Sequence, residues 1–313
     1  MASGEMLVDH LRWDTYPVPS TAANGTMLVR VGRIGTGSPV GLLVASQHGD
    51  EGPWGTRAIR KFLETTPLAD LRGSLRVVPV ANPMAFDENM RESHIDRNDL
   101  NMEFPGDPSG QHTQRLADVL RINAVDGADI VLDIHGGGSW CMNSFVYRFP
   151  GSHELAAHIG APFVREGPTR GTTSLTGYAM DRGAKAVWIE MGGAGAHEEE
   201  WAARIATGLR RALGKTGVLA EAAMQEADVT LLTGAATSFR ASHPGLYLPE
   251  LRESAVGTVV PAQTLIGSLI DAVTGNVVET YRAPYERTAM LLLRPRIGVL
   301  EGGEIVGVVA TID

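Results

Sequence analysis

Short apolar runs alternate with amphipathic stretches as far as about Gly214, and that alternation predicts strands and helices in turn. Val40–Ser46 is an apolar run bounded by turn residues, the mark of a strand buried on both faces. Pro53 then opens a helical pattern with Ala58, Ile59, Phe62 and Leu63 on one side. Leu75–Ala81, Ala128–Asp133 and Ala186–Ile189 read as further strands, each running into a polar residue: Asn82, His135 and Glu190. The last clear helix is expected over Glu198–Leu213, burying Trp201, Ile205, Leu209 and Ala212/Leu213, with Gly214 placed to cap it. From about Thr230 the texture changes to short β runs: 257–260, 264–266, 276–279, 290–293 and 305–309. The expectation is an α/β fold with a mixed or parallel sheet flanked by helices over residues 1–215. A smaller all-β domain would follow over 216–313.

Composition narrows the partners. A net charge of −9 argues against nucleic acid or an anionic membrane as the main partner. Cys141 is the only cysteine, which excludes an intrachain disulfide and a thiolate metal cluster. The first residues lack the basic start and apolar core of a secretion signal, and no segment has the apolar length of a membrane span. A cytoplasmic enzyme is the expectation.

The chemistry gathers at the ends of the expected strands. His48 and Glu51, three apart, follow the first strand, and His135 follows the third. Two imidazoles and one carboxylate form the set that holds a catalytic zinc and leaves a fourth position for water. Ligand sites of open α/β sheets lie outside the carboxyl ends of the strands, so these residues point to one site. Gly136-Gly137-Gly138 permits close backbone approach beside His135. Glu190 ends an apolar run before Met191-Gly192-Gly193, a poor place for a solvated carboxylate. His153 and His158 look like a zinc-binding helix, but five residues apart they face different ways and cannot grip one metal. His10, His94, His112, His197 and His243 carry no spacing signal. Trp140, Cys141, Met142 and Tyr147 are expected near the pocket by proximity alone. The C-terminal β segment resembles biotin- and lipoyl-carrying sandwiches, yet Lys215 is the last lysine, so a swinging arm is excluded.

Five short motifs fall in a fixed order: His-Gly-Asp-Glu at 48–51, Asn-Pro-Met-Ala-Phe at 82–86, Asp-Leu-Asn-x-x-Phe-Pro-Gly at 99–106, Asp-Ile-His-Gly-Gly at 133–137 and Ile-Glu-Met-Gly-Gly at 189–193. On these the chain resembles the succinylglutamate desuccinylase/aspartoacylase family, zinc amidohydrolases of zinc-carboxypeptidase-like fold. The resemblance runs from about Val40 to Gly195. It implies His48, Glu51 and His135 as ligands of one zinc per chain, with Asp99 orienting a ligating histidine. It further implies Arg91 as support for the oxyanion, Glu190 as general base and Asn101 as a substrate-carboxylate contact. Without the resemblance, Asp99 also suits a turn cap and Arg91 a surface ion pair.

Met102 departs from the family pattern, where an arginine normally follows the asparagine and the pair clamps a substrate carboxylate. A thioether cannot replace a bidentate guanidinium. The leaving amine is therefore expected to lack that carboxylate, or to present it to Arg97, Arg170 or Arg182. The implied activity is zinc-dependent hydrolysis of a small N-acyl amide by Glu-assisted attack of water. Competing readings are a metallocarboxypeptidase-like enzyme, a cyclic-amide hydrolase and a non-catalytic zinc-binding protein. The expected partner is a small N-acyl molecule; self-association into a homo-oligomer is compatible with all of this.

Overall fold

The computed structural model describes residues 4–312 apart from 21–24, 169–172, 194–196, 222–223 and 225–226. The N-terminal part contains strands β1 (Arg12–Pro19), β2 (Thr26–Ile34), β3 (Val40–Ala45), β4 (Ser74–Val78), β5 (Ile130–His135), β6 (Met142–Arg148), β7 (Phe163–Glu166) and β8 (Lys185–Gly192). Its helices are α1 (Leu7–His10), α2 (Gly52–Thr65), α3 (Pro83–Glu88), α4 (His112–Leu120), α5 (His153–Ile159), α6 (Leu175–Met180) and α7 (Glu198–Lys215). Beyond α7 come β9 (Thr230–Leu232), β10 (Ala236–Arg240), β11 (Gly245–Pro249), β12 (Val259–Pro261), β13 (Leu265–Ile270), β14 (Val277–Arg282), β15 (Arg287–Leu293), β16 (Gly298–Leu300) and β17 (Ile305–Thr311).

The main sheet runs β1-β2-β4-β3-β5-β8-β6-β15-β17-β10. Its centre, β4-β3-β5-β8, is parallel, and antiparallel strands extend it on both sides. This is the mixed sheet flanked by helices that the sequence led us to expect. β14-β13-β11-β16 form a separate antiparallel sheet in the C-terminal part. The two β regions are continuous: β15 pairs with β6 through Leu292–Asn143 and Leu293–Met142.

Alternation along the central strands feeds two cores. Leu43, Ala45, Leu132, Ile134, Val187 and Ile189 pack against α2, α5 and α7. Leu42, Val44 and Val131 face the other way, toward α4 and α6. Since successive strand side chains point to opposite faces, Asp133 and His135 share the face of Val131. The chain leaves β3 for β4 on one side and later reaches β5 on the other, so the sheet's connections reverse there. Crevices form at such points.

Several expected boundaries move. The strand from Leu75 stops at Val78, because Pro79 has no N–H to continue the ladder. Asn82 instead caps α3, accepting from Ala85 N at 3.3 Å. Gly214 does not cap α7. The helix continues to Lys215, and the left-handed turn falls on Gly217 (φ 77°), after which Leu219 N bonds back to Leu213 O. β8 runs on to Gly192, so Glu190 lies within the strand rather than beyond its end. β1, β2 and β6 were not among the expected strands. Among the described residues no helix is long and apolar enough to cross a membrane.

Candidate active site

β3 ends and the backbone takes a positive φ at Ser46 (60°), which turns Gln47 and His48 over the edge of the sheet. A short 3-10 turn, Gly49–Glu51, then brings Glu51 back beside His48. Gly49 is required there: a Cβ would sit 2.0 Å from the backbone carbonyl of Ala85 in α3. His135 closes β5, the parallel neighbour of β3, and Glu190 is its register partner on β8.

Three ligand-type atoms converge. Glu51 Oε2 lies 2.9 Å from His48 Nδ1 and 3.0 Å from His135 Nδ1. All three residues are buried, and one ligand atom from each lies within 4.8 Å of the others. Both imidazoles are held from behind by carboxylates at their other nitrogen. Asp99 Oδ1 is 2.8 Å from His48 Nε2, and Asp133 Oδ1 is 3.4 Å from His135 Nε2. Such partners fix the ring orientation and leave Nδ1 of each ring for the centre. His48 Nδ1 is buried and its one polar contact is the Glu51 carboxylate, 2.9 Å away. A buried nitrogen in that condition, facing a carboxylate and a second imidazole, fits a metal ion.

Asp133 is fully buried and was not assigned a role from the sequence. Gln47 Nε2 donates to both its oxygens at 2.8 and 2.9 Å, and Thr176 Oγ1 donates at 2.9 Å. The signal existed: two residues before His135 on a strand, Asp133 must share its face.

Arg91 bridges the cluster, donating from Nη1 to Glu51 Oε1 at 2.8 Å and from Nη2 to Asp99 Oδ2 at 2.9 Å. Burial pushes Glu51 upward, but the charges and hydrogen bonds of His48 and His135 outweigh it and hold its pKa well below normal. Burial likewise opposes protonation of His48, yet Glu51 and Asp99 win and raise it. His135 is raised well above its ordinary value against the same burial, by Asp133 and Glu51. Asp99 is lowered, since bonds and charge from His48 and Arg91 overcome its desolvation. Glu190 goes the other way. Burial pushes it up to about 7, reinforced by the charge of Glu51 and opposed by His135 and by Asn143.

Asn101 is buried. Its N–H donates to Asp99 Oδ1 at 2.9 Å, and its Oδ1 accepts from Leu175 N at 3.2 Å, which ties this loop to α6. Met102 next to it is 55% exposed, so its thioether is not part of the buried cluster. Arg182 is engaged elsewhere, stacked 3.6 Å over the Tyr178 ring and 3.8 Å from Asp126. Arg97 is exposed, and Arg170 lies outside the described residues. Of the residues expected near the pocket, Trp140 lies under the Arg294 guanidinium at 4.1 Å, while Cys141 and Met142 are fully buried. Tyr147 packs on Trp188, whose ring lies 5.0 Å from that of His135. His153 and His158 lie on α5, and among the described residues only His48, Glu51 and His135 form a metal-type group.

Comparison with known proteins places the chain among relatives of one family. Over 310 residues the chain is 29% identical to the N-alpha-acetyl-L-2,4-diaminobutyric acid deacetylase of Halomonas elongata, covering 93% of this chain and 88% of the relative. The product-bound structure of the ectoine utilization protein EutE (DoeB) from Ruegeria pomeroyi superposes with a TM-score of 0.83 at 25% identity, covering 96% of this chain and 95% of that one. A succinylglutamate desuccinylase from Silicibacter sp. TM1040 shares the fold, with a TM-score of 0.83 at 24% identity over 99% of this chain and 100% of the other. The model of the succinylglutamate desuccinylase/aspartoacylase catalytic domain matches residues 39–215, a span that carries the whole converging cluster and Glu190. With more than half of its length matched in this way, the chain belongs to the succinylglutamate desuccinylase/aspartoacylase family, whose members are deacylases acting on amide bonds.

Proposed function

We propose that the protein is a zinc-dependent deacylase hydrolysing the amide bond of a small N-acylated amine or amino-acid derivative. The observation that carries this reading is the convergence of His48 Nδ1, His135 Nδ1 and Glu51 Oε2, with Glu190 on the adjacent strand. The first three residues would hold the zinc, which supplies a lowered pKa for water and polarisation of the acyl carbonyl.

The chain's own groups do the rest. Asp99 and Asp133 keep both imidazoles turned with Nδ1 inward. Glu190, held near neutrality by burial, takes a proton from the attacking water and returns it to the departing nitrogen, since an unprotonated amine leaves poorly. Arg91 places a fixed positive charge beside the cluster, where negative charge develops on the acyl oxygen. Asn101 and Met102 border the amine side of the substrate. Methionine at 102 supports an amine without a clamped carboxylate there. Residues 1–215 would form the catalytic unit and 216–313 a supporting β domain.

The test is amine release by zinc-loaded protein from N-acyl compounds with and without a carboxylate on the amine side. Release from either set supports the deacylase. Zinc-bound protein that is silent across the panel, or that trims peptide C-termini instead, counts against it. Glu190→Ala is expected to lower kcat roughly 10²–10⁴-fold with zinc still bound. Met102→Arg should raise preference for carboxylate-bearing substrates; an unchanged preference sinks the reading of Met102.

A further inference from the structure

The proposed base has a dedicated neighbour. Asn143 lies on β6, which is antiparallel to β8, and its Nδ2 donates to Glu190 Oε2 at 2.5 Å. Phe145 is the register partner of Glu190, so Asn143 is the diagonal neighbour on the same face. An ionised carboxylate only accepts, so the amide nitrogen must face it. The amide oxygen then points toward Cys141, whose Sγ is 3.7 Å away. Asn143 is 4% exposed, and its strand pairs on both sides, with Gly192 of β8 and Leu292 of β15. Its Cα therefore has little freedom. No other hydrogen bond to the Glu190 side chain is seen among the described residues.

From this geometry we infer that Asn143 is a positioning residue for Glu190, fixing Oε2 and thereby aiming Oε1 at the reacting water and leaving nitrogen. The inference rests on the base assignment made above. A side chain locked by a rigid neighbour holds productive geometry, and a misplacement of about 1 Å in a reacting group can cost about 10²-fold. The location of β15 gives the C-terminal part a stake in the chemistry, because it braces the strand that carries Asn143.

Asn143→Leu fills nearly the same volume without a donor, and Asn143→Ala is the second variant should leucine disturb folding. The expected result is a fall of roughly 10–100-fold in kcat, with KM changed less than about twofold and zinc content unaltered. In a Glu190→Ala background the same substitution should change the residual rate by less than about twofold, because residues acting as one unit are not additive. A wild-type kcat in both Asn143 variants overturns the inference. So does an equal loss in the presence and absence of Glu190, which would mean a general structural effect. Undiminished turnover in Glu190→Ala alone would overturn the base assignment itself, and with it this inference.

Discussion

Glu51 is gripped by two imidazoles and a guanidinium, and that crowding has consequences for metal binding. Against their burial, Glu51 and the partner carboxylates Asp99 and Asp133 raise His48 and His135 above the ordinary histidine value. They carry protons at pH values where an ordinary histidine is neutral, and a metal ion must displace those protons. Zinc affinity is therefore expected to fall as pH decreases, with net proton release near neutrality. Calorimetric titration in two buffers of different ionisation enthalpy reads this directly, and identical observed heats in the two buffers would mean no net proton release and refute it. The proposed base, Glu190, sets a test on rate. If Glu190 is the base proposed above it must be ionised, so kcat/KM should fall as pH drops through its pKa, which burial pushes up to about 7. A bound dication favours the charged form and moves that limb down, so it should lie at or below 7. An acid limb well above 7 would point to a different base. Most of these groups were legible as types in the sequence. Asp99 shows why the rest was not: which imidazole it holds depends on the 99–101 loop meeting the end of β3 in space, whereas Asp133 reaches His135 along the same strand.

At the scale of elements, the site is a set of strand ends and one tight turn. β3, β5 and β8 each deliver a residue, and their parallel register lines up Ala45 with Ile134 and His135 with Glu190. The turn Gly49–Glu51 closes against α3 with no room for a side chain at Gly49. Gly49→Ala must push α3 and the His48–Glu51 turn apart. The expected result is a destabilisation of roughly 1–3 kcal/mol together with weaker zinc binding, read by denaturant unfolding and a chelator competition. Wild-type stability and affinity would show that the turn has slack. Buried runs such as Val40–Ala45 were readable because both faces are covered and every position is apolar. β6 was not. Met142–Arg148 mixes polar and apolar residues, since one of its faces carries Asn143 and Tyr147 toward the site.

Across the whole molecule, the boundary expected at residue 216 does not mark a break in the sheet. β9 pairs with β7, and β15 pairs with β6, so the C-terminal part covers edges that the first part would otherwise expose. Met142 itself belongs to the C-terminal hydrophobic cluster, with Tyr247, Ile266, Met290 and Val309. A chain ending at residue 215 would bare this apolar surface and an open strand edge. It is expected to be aggregated or poorly folded and to have lost turnover, as judged by size-exclusion chromatography and amine release. A soluble, active fragment would mean that the β6–β15 pairing is dispensable.

The sequence by itself determined the α/β alternation, the strand that leads into His48, the strands that carry His135 and Glu190, and the donor types gathered there. Periodicity and residue chemistry are local properties, and motif order adds family membership. Tertiary structure decided what locality cannot. It put Asp133 and Asp99 behind the two imidazoles, sent Arg182 to Tyr178 and Asp126, and left Met102 at the surface. It also brought Asn143 across from an antiparallel strand to Glu190. The Asp99–His48 and Asn143–Glu190 pairs join segments far apart in the chain and are fixed only when the sheet closes and its register is set, whereas Asp133–His135 and Arg182–Tyr178 are close in sequence and depend on the local backbone that carries them.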